Sequence, residues 1–162
     1  VEAIKREAAI ESQVHQLAEL AGKFGPARHP SELGEEGSRV LLSIRSADVL
    51  VAVTPVYKGS YTGLFKHLFD FIDPVALNET PVILGATGGG EKHALIIEHQ
   101  LRPLFGFFGA WTVPTGVYAS EQGFDGTRFT DPVVVERISA AARQGVDLAF
   151  SRQRRNPAAK AA

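Results

Sequence analysis

The sequence contains no cysteine. That excludes disulfides, thiol catalysis, iron–sulfur clusters and thiolate zinc sites, and it agrees with a reducing, cytoplasmic setting. A strong net charge is missing as well. Seventeen basic and 18 acidic residues give −1 with a pI near 6.6, so no overall field draws the chain to nucleic acid or to an anionic membrane. Long apolar runs are also absent: each stops at charge, Gly or Pro well short of the ~20 residues a membrane helix needs, and no signal peptide is visible. His67 and His93 are scattered, and no two histidines stand at ligand spacing with a carboxylate, which argues against a metal site. The chain has no methionine and opens at Val1 inside the amphipathic pattern "VEAIKREAAI", with no capping residue ahead of it. A preceding segment is therefore expected.

What is present is the composition of a globular domain. The 162 residues, 44% apolar and 22% charged, suffice for one real core. Residues 1–150 are read as a single domain and 151–162 as a frayed Ala- and basic-rich tail, with anion binding by "SRQRRN" at 151–156 as the alternative. Residues 1–10 carry a helical pattern, a short strand is expected around residues 13–17, and "GKFGPARHPSELGEE" at 22–36 is surface-loop chemistry. A helix over residues 37–48 would place Val40, Ile44 and Ala47 on one face.

Then "VLVAV" at 49–53 and "PVILGAT" at 81–87 read as strands buried on both faces, with "TVPTGVYA" at 112–119 a weaker third. Helices are expected at 63–73, 91–108 and 133–150. This alternation predicts an open, doubly wound α/β domain with the three strands adjacent and parallel. An eightfold barrel would need about 250 residues.

In such sheets ligands bind beyond the carboxyl ends of the strands. Both strong strands end in loops of unusual composition. After the first, Pro55 holds the chain extended, Tyr57 offers a flat amphipathic face, Lys58 a cation, and Gly59 and Ser60 close backbone approach, with Thr62 as cap of the next helix. After the second, Thr87 is followed by Gly88, Gly89 and Gly90, which permit positive φ and let a ligand lie against the backbone. A planar aromatic ligand rich in acceptors matches these parts. The bland alternative packs Tyr57 on the helix below, leaves Lys58 solvated and makes the glycines a plain turn.

"TPVYKGSYTGLFKHLFD", then "ATGGG", then "LRPLFGFFGAWTVPTGVYA" resemble the NAD(P)H-dependent FMN reductases of flavodoxin-like fold. More narrowly, they resemble those serving two-component alkanesulfonate and methanesulfonate monooxygenases. The resemblance covers roughly residues 38–150. It implies a flavodoxin-like parallel five-stranded sheet, FMN and NADH or NADPH as ligands, and a flavin-dependent monooxygenase as partner. It also implies that Pro55, Val56, Tyr57, Lys58 and Gly59 lie along the isoalloxazine ring, while Thr87, Gly88, Gly89 and Gly90 cover its other polar edge. No side chain is assigned a catalytic role. Members of the family begin with a first strand and a Gly-Ser-x-x-x-x-Ser-x-Thr phosphate loop; this chain shows neither.

The alternatives are an FMN-bound reductase of quinones, azo dyes or metal oxyanions, and a flavodoxin-type electron carrier; the near-neutral charge argues against the carrier. In "EKHALIIEHQLRPLFGFFG", Pro103 is expected to bend the helix. In the sulfonate-linked reductases this helix resembles a tetramer interface, and some carry a one-residue π insertion near His99. Ile97, Leu101, Leu104 and Phe108 are expected to build a homodimer or homotetramer, with Phe105 and Phe107 adding aromatic surface. His99 is read as a hydrogen-bonded interface residue, with a flavin-transfer role as the alternative.

Overall fold

A computed structural model describes residues 1–155. Four strands run parallel: β1 (Leu50–Tyr57), β3 (Pro81–Gly88), and two short segments, β4 (Trp111–Thr112) and β5 (Val117–Ser120), that both pair with β3. The fifth, β2 (Ser60–Tyr61), is an antiparallel arm on β1, so the order is β2-β1-β3-β4, with β5 also on β3. The expected adjacency and parallel sense of the three apolar runs hold. The fifth strand is a hairpin arm rather than a parallel strand.

Helices cover both faces. On one lie α2 (Leu17–Phe24), α3 (Gly34–Arg45), α4 (Gly63–Asp70) and α5 (Arg102–Phe107), sharing a core with Ala52, Val82, Leu84 and Ala86 of the sheet. On the other lie α1 (Glu2–Glu7) and α6 (Pro132–Arg155), closing on Ile83 and Val113 through Ile4, Ala141, Ala142 and Val146. β3 alone is buried on both faces through its first six residues, as its uninterrupted apolar sequence requires. β1 departs from that expectation. Ala52 and Thr54 are buried, yet Val51 and Val53 are 39% and 53% exposed, because α1 and α6 sit over β3 and do not reach across β1.

Several boundaries differ from the sequence reading for physical reasons. No strand forms at residues 13–17: Val14 is exposed, and Leu17 opens α2, whose Leu20 and Phe24 enter the core at helical spacing. The stretch 22–36 is mostly exposed, as expected, but its ends belong to α2 and α3 and three of its side chains turn inward. Phe24, Ala27 and Leu33 are buried, and the ring Nε2–H of His67 donates to the carbonyls of Phe24 and Ala27 at 2.9 and 3.0 Å. Helix α1 stops at Glu7 because Ala8 turns extended. Helix α6 includes residues 151–155 of the expected tail; the remainder, from Asn156, lies outside the described residues. No helix among the described residues is long and apolar enough to cross a membrane.

Candidate functional site

The first loop is a hairpin. Lys58 and Gly59 both have positive φ, 53° and 82°, the pattern of a two-residue type I′ turn, and Tyr57 pairs with Ser60 across it. Pro55 thus lies in β1, in register with Thr87 of β3, so the hairpin and the glycine loop leave the sheet side by side. Thr62 caps α4 as expected, its Oγ1 accepting from the Phe65 amide at 3.2 Å. The buried Thr54 hydroxyl donates to the Pro55 carbonyl at 3.0 Å and accepts from the Thr62 amide at 3.3 Å, fixing the hairpin base. Tyr57 is 67% exposed. The tyrosine that packs on the helix below is Tyr61, whose ring lies 5.9 Å from that of Phe65.

In the second loop none of Gly88, Gly89 and Gly90 has a positive φ; Gly90 is extended at −175°. Conformational freedom is therefore not what these glycines provide. A Cβ on Gly88 would stand 2.4 Å from the Tyr118 hydroxyl, which donates to the Gly90 carbonyl, so Gly88 is explained by packing within the protein. Above Gly89 the first atom met is Glu121 Oε1 at 4.0 Å, and above Gly90 there is nothing within that distance. Gly89 and Gly90 are thus open, and the exposed Tyr57 lies two residues beyond Pro55 as Gly89 lies two beyond its partner Thr87. Burial raises the Tyr118 pKa, reinforced by the negative charge of Glu91, so the hydroxyl stays a donor to Gly90.

Of the helix expected over 91–108, Glu91–His93 form a separate 3₁₀ turn, and a wide π turn (Ile97–Leu101) runs directly into α5. The wide turn contains His99, where the resemblance placed an insertion. Its i→i+5 bonding ends immediately before Pro103, which has no N–H to contribute and whose ring crowds the preceding turn. His99 is exposed and its ring makes no hydrogen bond among the described residues. Ile97, Leu101 and Phe108 are buried in the core rather than presented outward, whereas Leu95 and Phe107 are 63% and 68% exposed.

The expected strand at 112–119 splits at Pro114 and Gly116, and side chains satisfy the carbonyls this releases. Arg102 donates to Thr112 Oγ1 and the Val113 carbonyl, both at 2.9 Å, and to the Pro114 carbonyl at 3.3 Å. Its fork also holds Glu98 at 2.6 and 2.7 Å, which keeps that carboxyl below its ordinary pKa. Arg137 takes the Gly116 carbonyl at 2.7 and 3.0 Å.

Residues 1–125 match the family described as NADPH-dependent FMN reductase. An FMN reductase (NADPH) of Pseudomonas aeruginosa is 50% identical over 139 residues, covering 86% of this chain and 75% of the relative. The chain belongs to the NADPH-dependent FMN reductase family. The NADH-dependent FMN reductase SfnF of Pseudomonas fluorescens is 49% identical, with 86% and 74% covered. Among solved structures, an oxidoreductase from Corynebacterium diphtheriae superposes with a TM-score of 0.82 at 34% identity, covering 93% of this chain and 82% of that one.

In this FMN reductase the structure brings both sequence-predicted loops to one edge of the sheet. It also adds residues the sequence did not single out. Tyr118, which braces the glycine loop, sat inside an expected strand with no pattern to mark it. Gln100, whose Oε1 accepts from Ser60 Oγ at 2.8 Å, carried no motif. No group of three or more His, Cys, Asp or Glu gathers among the described residues to hold a metal.

Proposed function

We propose that the chain reduces FMN with NADH or NADPH, and that the isoalloxazine ring lies on a shelf between the hairpin and the glycine loop. Pro55, Val56, Tyr57, Lys58 and Gly59 would follow one side of the ring. Thr87, Gly88, Gly89 and Gly90 would meet its other polar edge. The observation that carries this reading is the register Pro55↔Thr87 together with the clear space above Gly89 and Gly90. Side chains are missing where a flat ligand would touch backbone, and an aromatic face is exposed on the neighbouring hairpin.

When bound, FMN supplies the redox chemistry, acceptance of a hydride from the nicotinamide at a ring nitrogen, and no side chain acts as acid or base in it. The protein's part is placement. Backbone N–H groups at the loop offer donors to ring acceptors, the hairpin sets the ring's height, and the open side of the shelf leaves a ring face for the nicotinamide.

The reduced flavin is proposed to serve a partner sulfonate monooxygenase in the cytoplasm, on the strength of the "TPVYKGSYTG", "ATGGG" and "LRPLF" resemblance and the cysteine-free composition. A homodimer or homotetramer is proposed through the exposed Leu95 and Phe107 with the half-buried Leu104, since the expected Ile97, Leu101 and Phe108 are buried in the core. The test is the colour of the purified protein and the dependence of NAD(P)H oxidation on added FMN. A colourless protein whose turnover follows added FMN supports flavin as substrate. A yellow one whose turnover ignores added FMN but follows quinones would favour the FMN-bound reductase instead.

A further inference from the structure

β2 is two residues long, and an arm so short does not hold itself against a strand. Its base is fixed by Thr54 and by the packing of Tyr61 on Phe65. Its turn end is fixed differently. Ser60 Oγ–H donates to Gln100 Oε1 at 2.8 Å, forty residues away in the wide turn, and both side chains are half-buried. Among the described residues this is the one side-chain hydrogen bond that reaches residues 57–60. Ser60 also closes the type I′ turn opposite Tyr57. Moving Ser60 therefore moves Lys58, Gly59 and Tyr57 together.

We propose that Gln100 is a positioning residue for flavin: through Ser60 it sets the height of the Tyr57–Gly59 turn above the glycine loop. The inference rests on the flavin reading given above. Gln100 is aimed at the hairpin from a helical segment whose neighbours Ile97 and Leu101 are locked in the core, at 3% and 0% exposure. The anchor is therefore held by the core, and the turn reaches it through Ser60. Shielding from water strengthens the bond, and its loss leaves a half-buried amide oxygen unpaired.

The experiment is FMN titration and steady-state kinetics on the full chain for Ser60→Ala, Gln100→Ala, their double mutant and Gln100→Glu, which keeps an oxygen acceptor for Ser60. Each single alanine variant should raise the FMN Kd and KM about three- to tenfold. The nicotinamide KM and the kcat at saturating FMN should stay within about twofold. The double mutant should be no worse than either single, and Gln100→Glu should return to within about twofold of the parent. Additive effects, an unchanged FMN KM, or a fall in melting temperature with no change in FMN affinity would overturn the proposal. Tyr57→Ala separates the two layers of the argument. If it weakens FMN binding while Ser60→Ala does not, the positioning role falls and the flavin site stands. If Tyr57→Ala leaves FMN affinity unchanged, the site assignment falls and the role of Gln100 falls with it.

Discussion

Gly116 has no room for a side chain: a Cβ there would lie 2.5 Å from Ile97 Cγ2, and Ile97 is locked in the wide turn at 3% exposure. Gly116→Ala is expected to destabilise by about 1–3 kcal/mol, as overpacking of a well-filled core does, measured by urea unfolding. No change would mean that the wide turn yields easily. Asp125 makes a second residue-scale prediction. Its carboxylate accepts from the Thr127 hydroxyl at 2.7 Å and from the amides of Arg128 and Thr127, both at 2.9 Å, and is pulled down to about 2. A depressed folded-state pKa means these bonds are intact above the ordinary carboxylate value and are lost only as pH falls through about 2. An NMR titration of Asp125 should show that midpoint, and Thr127→Val should raise it; a midpoint near 4 would contradict the turn. At this scale the sequence was uneven. The exposure of Tyr57 and the cap at Thr62 were legible from residue type and position. The role of the glycines was not, since a run of three looks the same whether it serves φ, packing or a ligand. Only the placement of Tyr118 separates Gly88 from Gly89.

Elements were legible where one period dominated. β3 is apolar throughout and buried throughout. β1 reads the same in sequence, but helices cover only one of its faces, a fact of tertiary arrangement that no local pattern carries. The segments at 91–108 and 112–119 each looked continuous because helical or strand periodicity survives a one-residue irregularity. Pro114 and Gly116 marked the split of the strand, while the wide turn fell at His99, where the family resemblance and not the periodicity had placed it. Arg102 turns one break into structure. Arg102→Ala would leave the Val113 and Pro114 carbonyls and Glu98 without their donor, and should cost about 2–3 kcal/mol as a charge-assisted hydrogen-bond set. Arg102→Lys, lacking the planar fork, should recover only part of that. The check is denaturant unfolding of both variants, and equal stability of Arg102→Ala and the parent would sink the clamp.

For the whole molecule, the outward Leu95 and Phe107 make a test of assembly. Burying two such side chains contributes about 1.5–3 kcal/mol each, so Phe107→Asp should shift a homo-oligomer toward monomer in sedimentation velocity at micromolar concentration. A parent protein already monomeric there would refute the interface. The central claim is the flavin shelf, and titration of FMN into the Gly89→Val protein tests it most directly. Because the space above Gly89 is open apart from Glu121 Oε1 at 4.0 Å, the flavin-free variant should unfold within about 0.5 kcal/mol of the parent. The same side chain would occupy the volume of the ring, at a cost on the order of 1–3 kcal/mol, and should weaken FMN binding roughly five- to a hundredfold. Unchanged FMN affinity, or collapse of the fold without flavin, would contradict the account.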